Sequence, residues 1–332
     1  MKLKSIFILL ILTVLFEIGV ITYLTTTIHK KVLGVSSITP LNRDDLVFSN
    51  EGELKYFYEP ESNTKIENIL YWASKSEQVD IKTVNTINSD SLNERYDYPT
   101  EKPKDTFRII TLGDSHTYGV YVNTKDNYPE KLEDLLNNNL KCQNIKKFEV
   151  INLGESGYDI KYTVERYKKR GQKYNPDLVL WLIKSGDLSK INEIFKERML
   201  NFDRQFKENL LDKTNYVRIF QEIREQTEKE MGDEKMFEYQ LKALKDLEQH
   251  LDSSKLIFMA SPNYTMPKEK NIFEQLVNGS NNVFLSLNID PAITNEDNIV
   301  KAGDLHPNKK GYKLISQSIF NYLVKSGQIS CK

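Results

Sequence analysis

From residue 107 onward the chain alternates short apolar runs with amphipathic stretches, and this alternation constrains the fold more than any other feature. The runs FRIITL (107–112), FEVINL (148–153), DLVLWLI (177–183), KLIFMAS (255–261) and NVFLSLNI (282–289) are mostly continuous in apolar character and bounded by Gly, Pro, Asn or Asp. Such runs suit strands buried on both faces of a parallel sheet. Between the first three lie the helical patterns YPEKLEDLLNNNL (128–140) and DIKYTVERYKKR (159–170), and the chain closes on PNKKGYKLISQSIFNYLVK (307–325). Strand and helix in this order predict a doubly wound α/β domain over residues 105–332.

One long stretch interrupts the rhythm. Residues 188–250 are rich in Lys, Arg, Asp and Glu, hold a single glycine, Gly232, and place Ile219, Ile223, Met236, Tyr239, Leu241, Leu244 and Leu247 at helix-like intervals. This predicts a helical insertion between the third and fourth strands. It is read either as an ordinary amphipathic excursion or as a lid or partner surface, because charge alone does not choose.

The other end of the chain carries a different signal. SIFILLILTVLFEIGVITYLTT (5–26) has Lys2 and Lys4 before it and Lys30 and Lys31 after it, and its length matches the roughly 20 apolar residues that span a bilayer core. Glu17 interrupts it at a cost the surrounding Leu and Ile residues offset. No alanine precedes Ala73, so an A-x-A cleavage site is absent, and GVS at 34–36 is the weak substitute. An uncleaved anchor over residues 1–28 is therefore preferred to a signal peptide, although the near balance of flanking lysines leaves its orientation open. Residues 29–104 are polar with scattered apolar clusters and read as a membrane-proximal segment with little core of its own, closed by PTEKPKD (99–105) as a linker.

Composition narrows the function classes. A net charge of -1 with 28% charged residues gives no basic field for nucleic acid. Cys142 and Cys331 lack zinc or CxxC spacing, so no metal site is expected from them. They stand either as one bridge, if the domain is exported, or as two independent thiols. No G-x-x-x-x-G-K-[ST] or G-x-G-x-x-G stretch supports a nucleotide, and no cofactor is expected.

The chemistry-bearing stretch is TLGDSHTYG (111–119), which sets Ser115 just beyond the first sheet strand, where open α/β sheets place their ligand crevice. Asp114 and Ser115 are also what a helix start requires. A serine nucleophile needs a general base. His29 abuts the apolar span, His250 lies in the charged insertion, and His116 is too close in sequence for its ring to reach the same hydroxyl readily. His306, in KAGDLHPNKKGY (301–312), is the remaining histidine. Asp304 and His306 are two apart, which in an extended segment turns both to one side, and Pro307 starts the closing helix. The alternative is a plain Gly-Asp turn before a Pro-started helix. Ser156 in GESGY (154–158) fails the last position of the G-x-S-x-G elbow and reads as a turn residue.

Together, FRIITLGDSHTYG and GDLHPNKKGY resemble the SGNH hydrolases, also called the GDSL esterase and lipase family. The resemblance covers roughly residues 105–187 and 251–325. It implies a flavodoxin-like three-layer α/β/α sandwich with a mostly parallel five-stranded sheet, and a catalytic set of Ser115, Asp304 and His306. It further implies an oxyanion hole from the backbone N–H groups of Ser115 and Gly157, with Gly154 as the alternative glycine in NLGESGYD. No cofactor or metal is implied.

The third motif departs from the family. Where Gly-x-Asn-Asp is expected the chain reads KSGD, with Lys184 at the glycine, Gly186 at the asparagine and Asp187 at the acid. Losing one oxyanion donor costs about 2.7–4 kcal/mol in a well-studied protease. Three readings follow: a nearby Lys184, Ser185, Ser189 or Asn192 substitutes; the enzyme is slow or specialised; or the fold binds without turnover. The expectation is a membrane-anchored, single-pass serine esterase with its catalytic domain outside the cytoplasm, acting on an ester-bearing small molecule, glycan or lipid. An O-acyltransferase and a catalytically weak envelope binding protein are the alternatives.

Overall fold

The computed structural model describes residues 46–73, 78–184, 186–206, 213–260, 267–300 and 306–331. The apolar stretch at 5–26 and Asp304 lie outside them. Among the described residues no helix is long and apolar enough to cross a membrane.

The domain is built on five strands, β5 (Thr106–Leu112), β6 (Lys147–Asn152), β7 (Leu178–Leu182), β8 (Lys255–Ala260) and β9 (Val283–Ser286), in the order β6-β5-β7-β8-β9. All four pairings are parallel. Alternate residues feed opposite faces, as the two-residue period of a strand requires. In β7, Val179 and Trp181 join one core, while Leu178, Leu180 and Leu182 join the other. The last strand is shorter than the apolar run 282–289, because Leu287 and Ile289 turn into the core before helix α7 (Asp290–Thr294).

Helices cover both faces and complete three layers. On one side lie α2 (Tyr128–Asn139), through Leu132 and Leu136, and α8 (Lys309–Lys325), through Ile315, Ile319 and Leu323. On the other lie α3 (Ile160–Arg166), α5 (Lys213–His250) and α6 (Pro267–Val277), through Ile160, Val164, Leu244, Leu247 and Phe273. The insertion consists of α4 (Asn192–Phe206) and α5, whose path breaks at Gly232 (φ 72°, ψ 158°). Ile219 and Ile223 before the break, and Met236, Leu244 and Leu247 after it, are buried at helical spacing, so this part of the insertion packs as core. Cys142, which follows α2, and Cys331, which follows α8, form a disulfide that ties these neighbouring helices at their ends.

Before the sheet the chain forms two antiparallel hairpins, β1 (Leu46–Glu51) with β2 (Leu54–Pro60) and β3 (Lys65–Ala73) with β4 (Gln78–Thr86). The first is not a detached spacer. Leu54, Phe57 and Tyr58 of β2 are buried against Tyr158 and Tyr162 at the start of α3, and Glu59 pairs with Arg166 and Arg170. The stretch at 99–105, expected as a linker, is likewise bound to the domain. The buried guanidinium of Arg108 donates to the carbonyls of Pro99 and Tyr174 and pairs with Glu149 at 2.7 Å, so the backbone before β5 satisfies a charge that the sheet has buried.

Candidate active site

The topological switch of the sheet lies between β5 and β7, and the candidate residues gather at the carboxyl ends of those strands, where such folds open their crevice. After β5 comes the single turn α1 (Ser115–Tyr118). Asp114 is its N-cap, its carboxylate accepting from the backbone N–H of His116 at 3.0 Å, while its carbonyl accepts from Thr117 and Tyr118. Asp114 is thus a helix cap, and Ser115, the first residue of the turn, is a separate group set at its mouth.

His306 meets that serine. Its Nε2 lies 2.8 Å from Ser115 Oγ, within reach for proton transfer. The ring is stacked on His116, centroids 4.7 Å apart at 29°, and is met edge-on by Tyr121 at 5.6 Å. Pro307, which follows, pairs with Ile299 in an isolated bridge, and the N–H of Val300 donates to the His306 carbonyl. The histidine is therefore held on backbone bonds just before α8.

The two glycines expected to offer the second oxyanion donor, Gly154 and Gly157, lie in the loop between β6 and α3. Gly154 is closely packed, since a Cβ there would lie 2.4 Å from the Tyr118 nitrogen, and its N–H donates to Asn152 Oδ1 at 2.9 Å. Its bare Cα is what allows this loop to close on α1. Gly157 adopts φ 80°, a conformation that disfavours a side chain. Its carbonyl accepts from Asn192 Nδ2, and the preceding Ser156 carbonyl accepts from Tyr58 Oη at 2.7 Å.

The departed third motif takes a defined form. The N–H of Gly186 donates to both carboxylate oxygens of Glu269, each at 3.0 Å, and Glu269 is fully buried at the start of α6. Ser189 Oγ donates to the Gly186 carbonyl at 3.0 Å. Of the four substitute donors considered, Ser189 and Asn192 are thus engaged in holding loops, and Ser185 lies outside the described residues. Lys184 differs. Its ammonium pairs with Asp114 and lies 3.3 Å from His116 Nδ1, which brings a cation from the end of β7 to the turn that carries Ser115.

Electrostatics follow from this arrangement. Burial opposes the ionisation of Asp114, but the Lys184 ammonium and the His116 contact outweigh it and hold the carboxyl well below the usual range. Burial, with Lys184 beside it, lowers His116 to about 4. His116 is therefore neutral near pH 7, with Nδ1 accepting from Lys184. Asp187 accepts the Lys184 backbone N–H at 2.7 Å, and burial, reinforced by the charge on Asp114, raises it to about 7. The Lys184–Asp114–His116 contact escapes sequence reading, since residues 70 apart are joined only when β5 and β7 become neighbours. The cap potential of Asp114 was its only local sign. Among the described residues no group of His, Cys, Asp and Glu is arranged to hold a metal ion.

No protein-family model matches the chain, and no curated protein matches it. Solved structures do. The psychrotrophic esterase EstA from Pseudoalteromonas sp. is 17% identical, with 67% of this chain and 99% of that one covered and a TM-score of 0.42. A putative lipolytic protein of the G-D-S-L family from Desulfitobacterium hafniense is 17% identical over 64% and 98%, with a TM-score of 0.38. The family 3 carbohydrate esterase of Clostridium thermocellum is 18% identical over 67% and 98%, with a TM-score of 0.37. Two of these structures are named as esterases, and the third carries the G-D-S-L name of the family that the Ser115 and His306 segments resemble.

Proposed function

We propose that this protein is a serine esterase or acylhydrolase. The observation that carries the reading is the 2.8 Å approach of His306 Nε2 to Ser115 Oγ, at the switch point of the sheet and across 191 residues of chain. Ser115 Oγ attacks the ester carbonyl carbon while its proton passes to His306 Nε2. The tetrahedral oxyanion is met by the N–H groups of Ser115 and Gly157, and the Lys184 ammonium, at the turn that carries Ser115, takes the place of the neutral side-chain donor that an asparagine supplies in the family. Collapse expels the alcohol, which takes the proton from His306. Water, deprotonated by the same imidazole, then releases the acid from the acyl-serine. Asp304, two residues before His306, holds the imidazole in the tautomer this sequence needs.

The substrate class we favour is O-acylated glycan or lipid of the cell envelope, with the domain on the extracytoplasmic side of a membrane anchored by residues 5–26. Two features support that placement. The first is the length of the apolar stretch. The second is the Cys142–Cys331 bridge, a bond that persists in oxidising compartments.

The test uses the full chain, an acetyl ester and a fluorophosphonate probe. The parent is expected to hydrolyse the ester and to be labelled at Ser115, and a Ser115→Ala variant to do neither. Labelling that persists in the variant removes Ser115 from the mechanism.

A further inference from the structure

The β1–β2 hairpin lies outside the part of the chain that resembles esterases, yet it reaches the loop assigned to the oxyanion. Tyr58 of β2 donates its hydroxyl to the Ser156 carbonyl at 2.7 Å. That carbonyl and the Gly157 N–H belong to one peptide unit. In a trans peptide the two point in opposite directions in a common plane, and the chain has no cis peptide bond among the described residues. Fixing the carbonyl from one side therefore aims the N–H from the other. A hydrogen bond accepted by the carbonyl also polarises the amide and strengthens its N–H as a donor.

The tyrosine is itself over-determined. It is fully buried, its ring meets Tyr158 edge-on at 5.1 Å and Tyr162 at 5.8 Å, and the Lys196 ammonium of α4 lies 3.6 Å over its face. Tyr158 Oη donates back to the Tyr58 carbonyl. The hydroxyl has little freedom to leave the Ser156 carbonyl. Neighbouring bonds fix the rest of the loop: Ser156 N–H donates to Glu155 at 2.9 Å, and Asn192 donates to the Gly157 carbonyl while its own N–H donates to Asp159 at 2.7 Å.

We propose that Tyr58 is a positioning residue of the esterase site, and that the amino-terminal hairpin is part of the catalytic unit because its hydroxyl sets the direction of the Gly157 N–H. This rests on the esterase reading and on Gly157 as an oxyanion donor. The hairpin follows directly on the amino-terminal segment, so whatever displaces it from α3 and α4 releases the Gly157 peptide and slows the reaction.

The experiment compares Tyr58→Phe with Phe57→Leu in the full chain, at a temperature where thermal denaturation shows all forms folded. Tyr58→Phe keeps the buried ring and removes only the hydroxyl. It is expected to lower kcat for an acetyl ester about 10- to 100-fold, the scale of a misaligned oxyanion donor, with KM within about twofold and a matching drop in the rate of fluorophosphonate labelling. Phe57→Leu loosens the same hairpin core without touching the hydroxyl. It is expected to lower thermal stability while leaving kcat within about twofold. A Tyr58→Phe protein that keeps the parent kcat overturns the proposal while leaving the esterase reading intact. Equal falls in kcat for both variants also overturn it, since packing alone would then explain the effect. A parent that neither hydrolyses the ester nor labels at Ser115 overturns both.

Discussion

Lys184 at the end of β7 pairs its ammonium with Asp114 at the end of β5 and lies 3.3 Å from His116 Nδ1. The cap of the serine turn and the cation at the end of the neighbouring strand are thus one ion pair. The Lys184 side chain is 18% exposed and that of Asp114 7%, so the pair is mostly shielded from water.

Asp114→Asn keeps a side-chain oxygen for the cap and removes the charge. It should destabilise the domain by about 1–3 kcal/mol at pH 7, less than a fully buried pair because Lys184 retains some solvent. The Asp114 carboxyl is held below its ordinary value, so its contribution is complete above an unfolded pKa of about 3.9 and is lost as pH falls through the folded value. Urea denaturation of parent and variant should therefore show a gap that closes as pH falls below about 4, and that is constant only above about pH 8, where Asp187 is ionised in both. A gap that widens in acid would contradict the pairing.

His306→Gln preserves a polar side chain at the end of the loop and removes the base. A fall of about 10⁴-fold or more in kcat/KM for an acetyl ester is expected, as when one member of a serine-histidine unit is deleted. Thermal stability should change little, because the backbone bonds of His306 and Pro307 to residues 299 and 300 remain. Hydrolysis at the parent rate would place the base elsewhere.

Glu133 of α2 offers a check on the buried acids beside the sheet edge. It accepts from the Val150 N–H and Tyr98 hydroxyl, each at 2.8 Å, yet burial raises its pKa from 4.5 to about 7. The folded state then binds more protons than the unfolded one between those values, and stability falls as pH rises through that window. The fall amounts to about 3 kcal/mol at most. Glu133→Gln should flatten the decline measured by chemical denaturation between about pH 5 and pH 8; an unchanged slope would assign it to other groups.

The Cys142–Cys331 bond spans 189 residues and joins the ends of α2 and α8. Cys331→Ser should lower the unfolding free energy by about 2–5 kcal/mol. Denaturation with and without a thiol reductant measures it. The parent should lose a similar amount on reduction, and the variant should be insensitive to the reductant.

The sequence determined the layers of this protein. Continuous apolar strands separated by amphipathic helices have few packings other than a parallel sheet covered on both faces, and local patterns such as Gly-Asp-Ser and His-Pro mark their own turns. The breadth of the 188–250 insertion is likewise visible as a helical period. The order β6-β5-β7-β8-β9 is carried by no single run of the sequence and emerges only when the strands pair.

What only the tertiary structure decided is which side chains meet across strands and across the hairpin. Lys184 stands where the family's motif glycine is expected, and Glu269 belongs to no motif in the sequence. Yet one brings a cation to Asp114, and the other holds the Gly186 N–H. Tyr58 sits in a segment that reads as membrane-proximal with little core of its own, because its burial comes from Tyr158 and Tyr162 about a hundred residues away. Such contacts carry no local period. They are selected by shape and charge when the layers close, so they leave little trace in the chain that supplies them.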